Sequence, residues 1–158
     1  MQPVKEISKA KMQRMLWMLG IFKIPLLAFC RPKLVSISEK EVTIGIHLRR
    51  RTRNHLGSMY FGALSVGADV SGGILAFYFA ERYGLKISFA FKSFEAQFHK
   101  RAETDVTFHC TEGDKIKDLV MKAKDLGERQ NEKVEIFAKD KSGTIVASFL
   151  LELSVKVK

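Results

Sequence analysis

Cysteine and proline are scarce in this chain, with two Cys and three Pro in 158 residues. Cys30 and Cys110 form no CxxC-type pair, which excludes a disulfide scaffold and a cysteine-based zinc site and makes a reduced, cytoplasmic setting the expectation. His47, His55, His99 and His109 stand singly, without metal-ligand spacing, so neither a metal nor another cofactor is expected. Acidic residues are also few: 17 Asp and Glu against 27 Lys and Arg, a net charge of +10. That surplus predicts an acidic partner, whether nucleic acid, anionic lipid, an acidic carrier protein or a phosphorylated small molecule. A nucleic-acid partner is not expected, because the chain lacks an aromatic–basic stacking motif. Internal repeats and low-complexity linkers are missing too. What is present is 46% hydrophobic residues, including twelve Phe, enough for the core of one domain.

No uninterrupted apolar run is long enough for a bilayer span of about 20 residues. Met15 to Cys30 comes nearest, but Lys23 and Pro25 break it. The same interruption, and the bulky Phe29 before Cys30, argue against a signal peptide. The segment reads as a helix ending near Pro25, with a second turn before Pro32, packed on the domain or making peripheral contact with a membrane. Residues 1–31 are therefore expected to be an accessory helix without site residues, and residues 32–158 the main domain.

Val42, Ile44, Ile46 and Leu48 alternate with Thr43, Gly45, His47 and Arg49, the period of a half-buried strand, which the pattern continues to Arg53. Ser58 to Arg82 contains no Pro and is apolar on nearly every side, predicting a long buried helix capped by Ser58 and stopped at Gly84. A helix apolar all round, with one small sheet to cover it, predicts an oligomer. Its interior glycines each weaken it by about 1 kcal/mol unless the backbone packs closely against a sheet. Leu85 to Lys158 reads mostly as strands, with a phase slip at Lys92-Ser93 that suggests a bulge or bend. A short helix, Asp114 to about Leu126, capped by Asp114 and stopped by Gly127, is inserted among them, and Lys141-Ser142-Gly143 forms a hairpin turn. The class is α+β.

Chemistry concentrates in Arg53 to Asp69, RNHLGSMYFGALSVGAD, where a strand ends and the free N–H groups of a helix begin. Asn54 and Asp69 are fifteen residues apart, Gly57 lies on the intervening turn, and Phe98-His99-Lys100-Arg101-Ala102 closes a later strand. These features resemble the hotdog acyl-CoA thioesterases, in particular the phenylacetyl-CoA thioesterase-like branch and relatives with an extra N-terminal helix. The resemblance runs from about Val42 to Val155. It implies a hotdog fold, an antiparallel sheet wrapped around one long central helix, with an N-terminal helix added. Tyr60-Phe61-Gly62 stands where that branch has His-Gly-Gly, and Arg101 stands where it has Pro.

The resemblance further implies an acyl-CoA or acyl-carrier-protein hydrolase in which Asp69 activates water or attacks the thioester directly. Asn54 would orient that water or the carboxylate, and the Phe61 and Gly62 N–H groups would hold the developing oxyanion, a role that needs no side chain. Gly57, Tyr60, Lys100, Arg101 and Arg53 are the corresponding substrate-binding candidates. The implied assembly is a homodimer or homotetramer with shared sites. Each residue also has a structural reading: Asp69 as a hydrogen-bonded helix carboxylate, Asn54 as a turn former, His55 as a plain loop residue. Yet Asp69 is the only acid between Glu41 and Glu81, and a buried carboxylate without a partner is costly enough to need a reason. Ser65 and Ser71 lack the strained turn of a serine nucleophile. On a strand, Arg49, Arg51 and Arg53 would share one face, either to hold phosphates or as a solvated edge. A hydratase is disfavoured because its His would fall where Ile74 stands. The other reading left open is a non-catalytic acyl- or lipid-binding hotdog module.

Overall fold

The computed structural model describes residues 4–158; the first three residues of the expected accessory segment lie outside them. The chain forms helices α1 (Lys9–Phe22) and α2 (Pro25–Cys30), strands β1 (Lys33–Ile37) and β2 (Val42–Ile46), and helix α3 (Phe61–Arg82). It continues with β3 (Ile87–Phe98), β4 (Val106–Cys110), α4 (Gly113–Leu126), β5 (Gln130–Lys139) and β6 (Ile145–Val157). The six strands make one sheet in the order β1-β2-β4-β5-β6-β3, antiparallel throughout. The sheet wraps α3, which touches every strand from β2 to β6. This is the hotdog arrangement, with α1 and α2 added at the N-terminus.

The glycines of α3 show how the helix comes so near the sheet. A Cβ at Gly67 would overlap the ring of the fully buried Phe108 on β4, so the missing side chain is what allows helix and strand to meet. By length and mean hydropathy α3 would pass as a membrane span, but 83% of its apolar window is buried inside the protein. Sheet, α1, α2 and α4 all contact it within one chain. Most of α3 is thus covered within one chain, with Phe61 at its head left exposed.

Several boundaries move from their sequence expectation. The strand from Val42 stops at Ile46, and residues 50–52 turn back instead of extending to Arg53. The Thr52 hydroxyl holds this turn, donating to the His47 carbonyl (2.7 Å) and accepting from the Arg49 N–H (2.9 Å). Arg49, Arg51 and Arg53 therefore do not share a strand face. Arg53 instead bridges to Met59. Ser58 is not the cap of α3; the helix begins after Tyr60 without a side-chain cap, and Ser58 is buried in the preceding loop. Asp114 lies in the first turn of α4 instead of capping it. Lys33–Ile37, which carries no clean alternation, pairs with β2 as an edge strand.

The phase slip at Lys92-Ser93 is a bulge within a single strand. Phe91 pairs with Leu153 and Ser93 with Glu152, leaving Lys92 as the extra residue. The bulge keeps Phe89, Phe91, Phe94, Ala96 and Phe98 on one side of β3. The strand is twelve residues long and lies at the sheet edge, paired only with β6. At the other end of the chain, α1 and α2 are not loosely attached: Met12, Leu16, Leu27 and Cys30 join the same hydrophobic core as α3 and the sheet. Pro25 opens α2 at its first turn, a position where the missing N–H has no hydrogen bond to lose.

Candidate active site

Asp69 lies two turns inside α3, on the face it shares with Gly62, Ser65 and Val66. That face forms one wall of a cleft of about 660 Å³, closed by Phe91, Phe94, Ala96 and Phe98 of β3 and by Leu26 of α2. Apart from Asp69 and the Ser65 hydroxyl, every side chain around it is apolar. The Ser65 hydroxyl donates to the Phe61 carbonyl (2.9 Å) one turn back. Among the described residues, no hydrogen-bond donor or cation contacts the Asp69 carboxylate. Burial alone pushes its pKa up from 3.8 to about 6.

A second cleft of about 530 Å³ adjoins the first and shares Phe61 and Phe98 with it. It is lined by Asn54, His55, Ser58, Tyr60, Lys100 and Arg101, among others. Asn54 shapes this wall: its Oδ1 accepts from the Leu56 N–H (2.9 Å), the Ser58 N–H (3.2 Å) and the Ser58 hydroxyl (3.2 Å). These bonds hold the loop in which Gly57 takes φ +80°, a conformation that favours glycine. Lys100 is 4.0 Å from Asp140, and Arg101 points free of any ion pair among the described residues. The head of α3 lies at the seam between the clefts. The Phe61 and Gly62 N–H groups have no acceptor in the described residues, as expected of the first helical turn.

The sequence candidates thus fall into two groups. Phe61 and Gly62 lie beside Asp69, whereas Asn54, Tyr60, Lys100 and Arg101 line the adjoining cleft. Gly57 and Arg53 line neither cleft, and within one chain Asn54 does not reach the Asp69 cleft. Phe61 does not plug the Asp69 cleft. Its ring stacks at a tilt on Tyr60 (4.7 Å between centroids) and edge-on against Phe98 (6.4 Å), forming a wall common to both clefts. Gly62 leaves room for the Tyr60 ring, which a Cβ there would meet at 2.6 Å.

Leu26 was not legible as a site residue, since it belongs to a segment that reads as accessory; only the packing of α2 brings it to the cleft. The remaining polar groups have structural partners. Ser71 donates to the Ala68 carbonyl (3.1 Å), His99 bonds Ser148 (2.8 Å), His47 bonds Asp105 (2.9 Å), and His109 lies between Thr43 and Thr107. Cys30 and Cys110 are buried free thiols whose pKa values burial pushes up, that of Cys110 to about 11, which makes them poor nucleophiles.

The fold has close counterparts among solved structures. A protein of unknown function from Pseudomonas aeruginosa, described as a probable thioesterase, superposes with a TM-score of 0.78 at 20% identity over 98% of this chain and 99% of its own. A protein of unknown function from Chlorobaculum tepidum gives 0.83 at 8% identity, over 96% and 98%. A thioesterase from Haemophilus influenzae gives 0.69 at 14% identity, over 99% and 96%. No curated protein matches the sequence. The family described as Domain of unknown function DUF4442 matches residues 12–155, a span that takes in most of α1 together with the sheet and both clefts. With nearly its whole length matched, and with the fold of thioesterase structures, the chain belongs to the DUF4442 family and is a hotdog protein.

Proposed function

We propose that the chain hydrolyses acyl thioesters of coenzyme A or of an acyl-carrier protein, with Asp69 as general base. The observation that carries this reading is the Asp69 carboxylate itself, unpartnered in an apolar cleft, with a pKa of about 6. Such a group is mostly ionised at neutral pH yet basic enough to take a proton from water. Water, deprotonated by Asp69, forms the new C–O bond at the thioester carbonyl, whose oxygen becomes the oxyanion. The Phe61 and Gly62 N–H groups, aided by the positive end of the α3 dipole, stabilise it. Collapse breaks the C–S bond, and the proton held by Asp69 passes to the departing thiolate. The products are a carboxylic acid and a free thiol.

The apolar wall of Phe91, Phe94 and Phe98 suits the acyl chain. Lys100 and Arg101, in the adjoining cleft, suit phosphate groups of the thiol carrier. Asn54 requires a second copy of the chain to act on the same water. The β3 edge, which has no partner strand on its outer side among the described residues and exposes Phe94 and Phe98 along it, is the surface on which that copy would pair. A hydrolysis screen over acyl-CoA chain lengths, run on the wild type and Asp69→Asn in parallel, tests the reading. Turnover by the wild type that Asp69→Asn abolishes supports it. A wild type inert across the whole screen, yet retaining acyl-CoA, replaces it with a non-catalytic binding module, the reading that Phe61 in place of the usual glycine favours.

A further inference from the structure

The C-terminal half of α1, Met15 to Phe22, contains no polar side chain. One side of it enters the core through Leu16 and the close approach of Gly20 to Ala28. The other side is left in solvent: Trp17 is 61% exposed and Phe22 70% exposed, with Met18 and Ile21 beside them and Ile24, Leu26 and Phe29 continuing the surface across α2. A helix exposed to water on that side would normally carry polar residues there. A contiguous apolar surface of this kind marks an interaction site.

Charge identifies the partner. No acidic residue occurs between Glu6 and Glu39, whereas Lys9, Lys11, Arg14, Lys23, Arg31 and Lys33 all do. A third cleft, of about 800 Å³, is lined by Phe29 of α2 together with Arg31, Arg49, Arg50 and Arg51. The Arg51 guanidinium caps the Phe29 ring at 5.7 Å, so the cationic cleft and the apolar surface are joined. The turn held by Thr52, which removed these arginines from the sheet, is what gathers them here.

We infer that the α1–α2 face docks on an anionic phospholipid bilayer, its apolar side chains entering the headgroup–acyl boundary while Arg31 and Arg49–Arg51 meet lipid phosphates. Exposed Trp and Phe beside a basic cluster is the combination that binds such interfaces. Leu26, 59% exposed, belongs both to this face and to the Asp69 cleft. Docking therefore sets the mouth of the cleft against the lipid, so that an acyl chain enters or leaves through the membrane surface. This last consequence rests on the hydrolase reading; the docking itself does not.

Trp17 is the only tryptophan of the chain and reports directly on the contact. The full-length protein is mixed with vesicles of phosphatidylcholine alone, or of phosphatidylcholine with phosphatidylglycerol, and flotation and tryptophan emission are measured. The expected result is flotation with the anionic vesicles and a blue shift of Trp17 emission, both weakened by added salt. Phe22→Ser, at an exposed position, should weaken vesicle binding by about tenfold while leaving hydrolysis of a soluble short-chain acyl-CoA unchanged. Arg49→Ala/Arg50→Ala should weaken it by roughly tenfold on anionic vesicles only. Asp69→Asn should bind vesicles as the wild type does, so a failed hydrolase reading and a failed docking surface are read on separate measurements. Protein that stays off anionic vesicles with unshifted emission overturns the inference. So does a native mass that falls in the Phe22→Ser variant without any vesicle binding, because the face is then an interface between copies of the chain.

Discussion

Phe61 and Phe98 meet edge-on with 6.4 Å between ring centroids, tying the head of α3 to the end of β3. The contact explains how a bulky residue is accommodated at the head of α3. The ring leans onto the sheet edge, and among the described residues the Phe61 and Gly62 N–H groups have no acceptor.

Removing that ring tests the arrangement. Phe61→Gly should merge the two clefts and favour bulkier acyl groups, seen as changed KM values across a chain-length series. The backbone donor is retained, so kcat for a short acyl group should stay within about tenfold of the wild type, below the 10²–10³-fold effect typical of losing an oxyanion donor. A loss of kcat beyond that range for every substrate would show that the ring itself positions the reacting carbonyl.

Asp69→Asn should lower kcat by at least about 100-fold, the lower end of what general-base catalysis contributes. The amide nearly matches the carboxylate in shape, so the fold should persist by circular dichroism. A variant with near-normal kcat removes Asp69 from the mechanism.

The same substitution should stabilise the protein at neutral pH. The carboxyl has a pKa of about 6 when folded, against an ordinary 3.8, so the folded state binds the proton more tightly. Stability from this group is full below pH 3.8 and falls as pH rises towards about 6. At pH 7 the ionised carboxylate costs about 3 kcal/mol. The uncharged amide of the variant does not carry that cost, so urea denaturation at pH 7 should show a gain of up to about 3 kcal/mol that vanishes by about pH 4. Equal stabilities at pH 7 would show that Asp69 has a compensating partner in the native assembly. In the wild type, kcat/KM should rise with pH through about 6, following ionisation of the free enzyme's base.

Asn54→Ala leaves the N–H and hydroxyl of the buried Ser58 without their acceptor, which should destabilise by about 1–3 kcal/mol. Asn54→Asp keeps an acceptor oxygen and should unfold close to the wild-type midpoint. Comparing the two separates loop formation from chemistry. If Asn54→Asp folds normally but loses turnover, the side-chain amide N–H₂ acts in the site; if it turns over normally, Asn54 serves the loop alone.

Gly67→Ala should cost about 1–3 kcal/mol as an overpacking substitution, because the new methyl group meets the enclosed Phe108 ring. At Gly72 the nearest atom to a Cβ is the end of the Leu151 side chain at 3.3 Å, which can yield. Gly72→Ala should therefore be near neutral, its strain offset by a helix-propensity gain of about 1 kcal/mol. Denaturation midpoints of the two variants check the contrast.

The sequence alone determined the long helix, the inserted short helix, the hairpin at Lys141–Gly143 and the bulge near Lys92, because each rests on local periodicity or on a residue with restricted backbone geometry. It also singled out Asp69, since one acid inside an apolar helix needs no tertiary information to stand out. The end of β2 did not show, because the alternation of side chains runs on through Arg53 while the turn depends on the Thr52 hydroxyl reaching the His47 carbonyl. Lys33–Ile37 lacked a signal because an edge strand buries few of its side chains. Tertiary structure decided which surfaces meet. It covered most of α3 within one chain, separated Asn54 from Asp69 into adjoining clefts, and set Leu26 at the cleft that holds the carboxylate. It also left Trp17 and Phe22 in solvent, although the sequence of α1 is equally apolar on the side that enters the core. Periodicity shows that a residue prefers burial; which face of a uniformly apolar helix finds a partner depends on long-range packing.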